Sequence, residues 1–181
     1  MSKRKESVIA WHFVGKTLRD GTPIPRDGKW LKFTGPVKIC STGLHASLEP
    51  WHALQYAPGA TLCRVECCDI VTRQDDKFVC RERRILTRAD ATDFINYFAR
   101  MQAVSCLGNW VNCPPDDVLD YLITGDESKK SAAWSAAESA AESAAESAAE
   151  SAAWSAAWSA AWSAARLEFN TEVYEAFGVR S

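Results

Sequence analysis

The sequence has no run of about 18 apolar residues, and its N-terminus, MSKRKES, leads into only a short apolar strand instead of a signal-peptide core. No membrane span and no secretory route are expected, so the protein is read as cytoplasmic. It also lacks a strong charge imbalance. Residues 1–126 carry 17 Lys and Arg against 15 Asp and Glu, and residues 127–181 carry 4 against 8. The head is thus faintly basic and the arm acidic, both too weakly charged to name a partner. The seven cysteines, at 40, 63, 67, 68, 80, 106 and 113, form no CxxC pair. Their odd number and wide spacing argue against a disulfide framework and against a structural zinc site, so no metal is expected. Histidine is scarce too: all three, His12, His45 and His52, lie in the first 52 residues. No HExxH, nucleotide-binding glycine signature or Ser-His-Asp order stands out.

What the chain has in abundance is a repeat. Residues 131–166 read as nine tetrads: SAAW once, SAAE four times, SAAW three times and SAAR. Alanine is the best helix former and neither glycine nor proline interrupts the run, so helix is expected. A four-residue period overshoots the helical 3.6, and each variable residue lies about 40° further round the axis than the last. With Trp134 at zero, Glu138, Glu142, Glu146 and Glu150 fall at about 40° to 160°, and Trp154, Trp158 and Trp162 at about 200° to 280°. Tryptophan and glutamate separate onto opposite faces. The same phase carried past the repeat puts Phe169, Val173 and Phe177 at about 260° to 340°. One helix from about 127 to 177 accounts for both segments, although Asn170 and Thr171 could instead start a second one.

The preceding 126 residues read as an α+β head, a small and mostly antiparallel sheet with flanking helices. VIAWHFV at 8–14 is a strand by its β-branched and aromatic content, and 30–40 holds two short strands broken at Gly35-Pro36. TGLHAS at 42–47 reads as a turn, and 48–57 as a helix with Pro50 in its first turn. ATLCRVECCDIV at 60–71 is the best strand, with KFVCRERRIL at 77–86 as its hairpin partner across Asp75-Asp76. Cys63 and Cys67 share its inward face with Val65, and the other thiols are expected to fill the core. The arginines at 81, 83, 84 and 88 are expected on a solvated face of the sheet. Thr87 to Asp90 caps a helix at 91–104, and Pro114-Pro115 opens a last short helix that Gly125 ends.

Two resemblances bear on function. GLHASLEPWHALQY at 43–56 resembles the Gly-Ile-Tyr-Phe segment of poly(ADP-ribose) polymerase-type ADP-ribosyltransferases, with His45 where that family has Tyr and with Tyr56 ending the adjoining helix. It also resembles the His-x-His-Leu-Ser segment of the RNA 2′-phosphotransferase, with His45 at the second His and Ser47 at the Ser. Trp11-His12 resembles the strand that carries the NAD-contacting His. This resemblance implies an NAD-binding, ADP-ribosyl-transferring enzyme in which His12 holds the ribose and His45 stacks on or bonds the nicotinamide, with Ser47 and Tyr56 beside them. The chain departs from the pattern at the catalytic Glu, because Glu66 and Glu82 lie on strands without the usual context. The second resemblance, carried by Gly43 to Ser47, Tyr56, the Leu62–Val65 strand and the Ala-rich tetrads, is to bacteriophage and bacterial proteins that pair a Gly-Leu/Phe-His-Ala turn domain with C-terminal short repeats. It implies a phage or prophage accessory protein with no assigned activity.

The leading expectation is an interaction or assembly protein, needing no cofactor, whose helix presents Trp154, Trp158 and Trp162, with Phe169 and Phe177 on the same sector, to a second copy or to a host or phage protein. A helix of 50 residues extends about 75 Å, roughly twice the diameter of a 126-residue head, so part of the arm overhangs unless it folds back. The NAD enzyme is the alternative. A nucleic-acid mimic is a remote third reading, because four glutamates spaced about 6 Å apart are too few to compete with a duplex.

Overall fold

A computed structural model describes residues 6–105, 114–136 and 151–179, without the side chains of 105 and 151–160. The fold is α+β, and the chain divides into two compact units, residues 1–92 with 169–181, and residues 93–168.

In the first unit five antiparallel strands form one sheet in the order β1-β4-β5-β2, with β3 also on β5. These are β1 (Ser7–Val14), β2 (Leu31–Lys32), β3 (Leu44–Ala46), β4 (Thr61–Arg73) and β5 (Phe78–Asp90), with a short helix α1 (Pro50–Leu54) between β3 and β4. The β4–β5 hairpin is the frame. Its strands run past the expected ends, so that 87–90, expected as a capping turn, is still strand; Asp90 nevertheless caps the helix after it, its carboxylate accepting the Thr92 N–H at 2.9 Å. Of the two strands expected in 30–40, one forms with two residues, and Lys38 makes an isolated bridge to Thr42.

The segment expected as a turn at 42–47 contains β3, and its role explains the difference. Leu44, His45 and Ala46 pair with Cys80, Val79 and Phe78 on β5, and the next residue crosses to the far edge of the sheet. There the Trp11 N–H donates to Ser47 O at 2.8 Å, and the Ser47 N–H to Trp11 O at 2.9 Å. Backbone hydrogen bonds therefore run β1 to β4 to β5 to β3 and back to β1. The curled sheet encloses Ala10, Val14, Ala46, Cys63, Val65, Cys67, Phe78, Cys80 and Ile85. A three-residue strand has too little pattern to be read locally; long-range pairing forms it.

Outside the curl, the C-terminal end of α5 (Ser151–Ala176) supplies the aromatic partners. Trp11 meets Phe177 edge-on at 5.0 Å and Tyr174 at 5.9 Å, and Trp51 of α1 meets Phe169 edge-on at 5.5 Å. Asn170 does not start a helix. It lies inside α5, where its Oδ1 accepts the Trp51 N–H at 2.9 Å and its Nδ2 donates to Glu49 at 2.8 Å. Glu49 makes no side-chain cap for α1, and Asn170 supplies that acceptor from 119 residues away. The helix stops at Gly178 (φ 60°), with Gly178 N–H bonded to Glu175 O and Val179 N–H to Tyr174 O, the paired bonds of a Schellman end.

The second unit holds α2 (Thr92–Ser105, from its second residue), α3 (Asp116–Thr124), a 3-10 turn (Glu127–Lys129) and α4, helical over 130–136. Gly125 ends α3 in the left-handed region, φ 68°, and a Cβ there would lie 2.6 Å from the Arg100 guanidinium. Val118, Leu122 and Ala133 form its buried cluster, flanked by Val104, Tyr121 and Ala136. Residues 137–150, the middle of the single helix expected from 127 to 177, lie outside the described residues; helix is described over 130–136 and 151–176. Among the described residues no helix is long and apolar enough to cross a membrane.

Candidate functional site

His12 and His45 come together. The β1 register places His12 opposite Cys63, on the parity of Ala10 and Val14, while β3 brings His45 across β5. Each histidine lies within electrostatic range of Arg83, and His12 feels His45 as well. Burial, then the positive charges of Arg83 and of His45, hold the His12 pKa well below the usual histidine range. His45 is also lowered, first by burial and then by Arg83, Lys77 and Arg19, against a backbone hydrogen bond at Gly43. Both imidazoles are thus neutral at pH 7.

The His45 ring is engaged by its own loop. Its Nε2 accepts the Cys40 N–H at 3.0 Å. Cys40 sits at φ 65° and Gly43 at φ 108°, so the imidazole closes a turn whose backbone is in the left-handed region at both places. Ser47 is buried and its backbone is spent on Trp11. Tyr56 donates its hydroxyl to Asp76, with the Lys77 ammonium 3.9 Å above its ring, and Lys77 in turn lies within electrostatic range of His45. A recess of about 500 Å³ where β4 runs past the start of β1 is lined by Glu6, Val8 and 69–73, and by none of these four residues.

The residue that sequence reasoning missed is Arg83. Expected on a solvated face with Arg81, Arg84 and Arg88, it is 5% exposed. Arg84 pairs with Glu66 and Arg88 with Asp27, as a solvated face would have them. The Arg83 guanidinium instead donates to the His45 carbonyl, and among the described residues no carboxylate comes within ion-pair distance of it. Parity carried the signal: Arg83 is two residues from Ile85 and opposite Cys67, both of them core. Of the described thiols, Cys63, Cys67, Cys68 and Cys80 are buried; Cys40, expected in the core, is exposed because it sits in the loop that His45 closes.

The expected interaction residues separate. Phe169 is fully buried on Trp51 and Phe177 half-buried on Trp11, so these two anchor the end of α5 to the sheet and do not await a partner. Trp162 is 49% exposed on the face of α5 that bears Phe169, two turns earlier. Trp154 and Trp158 are in α5, but their side chains lie outside the described residues. Trp134 is 74% exposed, while its neighbour Ala133 is buried. Among the described residues no group of three or more His, Cys, Asp and Glu could hold a metal ion.

Residues 8–97, from β1 into α2, match a protein family described as a domain of unknown function (DUF7666). No curated protein and no solved structure matches the chain.

Proposed function

We propose that this chain is a phage- or prophage-type accessory protein that works in the cytoplasm of a host cell by protein–protein contact, through the tryptophan face of one unbroken helix from about 127 to 177. The observation that carries the reading is the split within the first tetrad, where Ala133 is the buried residue and Trp134 the exposed one. The last tetrad repeats it: Ala165 is buried and Arg166 exposed. These two tetrads pack through a small residue, which lets a neighbour approach closely, and turn their variable residue outward, while Ala161 and Trp162 are both exposed. Tryptophan is a costly choice for an outward position unless another surface covers it.

Helix on both sides of 137–150, and the composition of that stretch, support continuity. On a continuous helix Trp154, Trp158 and Trp162 form one strip, and three rings at about 150–250 Å² each approach one side of a standard interface. A second copy of the chain is the simplest partner, because its own strip is complementary in kind. Sedimentation velocity of the full chain tests this at micromolar concentration. The wild type should sediment as an oligomer, and W154E/W158E/W162E as a folded monomer. A monomeric wild type that captures no host or phage protein through those rings would end the proposal.

A further inference from the structure

Arg83 carries a charge that the described residues do not balance. A guanidinium keeps its proton in a protein, and burial without a counter-charge is strongly unfavourable. Arg83 is 5% exposed, and its acceptor is a neutral carbonyl, that of His45. Glu66 is spent on Arg84 and Asp27 on Arg88, and among the described residues no carboxylate lies within ion-pair distance of Arg83. The buried sulfurs of the curl supply no charge either, because they are placed as thiol donors: Cys80 donates to Leu44 O at 3.2 Å and Cys63 to Thr61 O at 4.0 Å.

We propose that the interior of the curled sheet binds a small oxyanion, a carboxylate or a phosphate group, whose paired oxygens dock on the free edge of the Arg83 guanidinium. The His45 carbonyl takes only Nη1. The Nε–H and Nη2–H that remain are the two parallel donors with which arginine grips a carboxylate or a phosphate in bidentate fashion, so the edge left over is the one suited to this ligand class. Arg83 faces inward, opposite Cys67 and two residues from Ile85, both in the core cluster.

His12 supplies the second polar group. It shares the inner face of β1 with Ala10 and Val14, and the antiparallel Trp11–Ser47 bridge, continued by one residue, sets it across from Ala46, next to the His45 carbonyl that holds Arg83. Neither its ring nitrogens nor the Arg83 Nε and Nη2 have a hydrogen-bond partner among the described residues, yet none is sealed: each adjoins space that water can enter. His12 is itself half-buried. Burial first, and the Arg83 charge second, keep its imidazole neutral, which leaves one ring N–H to donate to an anion and one nitrogen to accept from water or from a phosphate hydroxyl. The rest of the cluster, Val65, Phe78 and Ile85 among them, is apolar and offers no competing donor. Such a site gives the sheet unit a small-ligand function that does not depend on the tryptophan face.

The test titrates the dialysed full chain with sodium phosphate and with sodium acetate at constant ionic strength, with chloride as the control, and reads binding by calorimetry. At least one of the two should bind saturably at one site per chain where chloride does not, and the tighter names the group. Arg83→Met should weaken that binding by about tenfold or more. Should Arg83→Met not fold, the Arg83 Nε–H resonance of the folded wild type decides, since it should move with anion occupancy and stay in place with chloride. No saturable binding of either anion beyond chloride, a folded Arg83→Met that binds as the wild type does, or an Arg83 Nε–H that neither anion moves would each overturn the proposal.

Discussion

Two tryptophans of the sheet unit and two of the tetrads differ sharply in burial. Trp11 and Trp51 are 4% and 8% exposed, each against an aromatic edge that the end of α5 brings to it. Trp134 and Trp162 are 74% and 49% exposed. The difference lies in their neighbours. The sheet unit sets bulky residues around each ring, whereas Trp134 is flanked along its own helix by alanine and serine, which are too small to cover it. Burial of an aromatic ring is thus decided by what stands beside it across the fold, and not by its own hydrophobicity.

The sharpest way to break the contrast is to remove a partner ring. Phe169→Ala deletes the edge on which Trp51 rests and opens a cavity at a fully buried position, so chemical denaturation should show a loss of about 3–5 kcal/mol. Asn170→Ala keeps the rings but takes the acceptor from the buried Trp51 N–H, and a loss of about 1–3 kcal/mol is expected in the same assay. Trp134→Ser, on the other side of the contrast, should alter stability by about 0.5 kcal/mol or less.

A pH series sharpens the account of the sheet interior. His12 has a folded pKa well below its ordinary 6.5, so below that value the unfolded chain binds the extra proton first. Stability is therefore full above about pH 6.5 and is lost as pH falls from there toward the folded pKa, with His45 acting in the same direction. Denaturation midpoints between pH 8 and pH 5 should decline, and a folded His12→Gln should flatten the decline.

Much of the fold is legible in the sequence because its signals are long. The β4–β5 hairpin shows in residues 60–86, and the four-residue spacing of Phe169, Val173 and Phe177 places them on one side of a helix, where the structure has them buried or half-buried. The site is less legible, for two physical reasons. The charge of Arg83 belongs on a surface, although its parity with Ile85 places it inside. Asn170 has the form of a local start signal, but its amide serves a helix more than a hundred residues away. In both cases a polar side chain takes its meaning from a partner distant in sequence, which no local pattern records.

The central claim is that the sheet buries its own tryptophans and the tetrads hold theirs out for another surface. Hydroxyl-radical footprinting of the full chain, read tryptophan by tryptophan across a dilution series, tests this most directly. Trp11 and Trp51 should be protected at every concentration, whereas Trp154, Trp158 and Trp162 should oxidise readily in dilute protein and become protected as the chain associates or a partner is added. Protection of all three tetrad tryptophans in the most dilute monomer would contradict the account, because the chain would then be covering them itself.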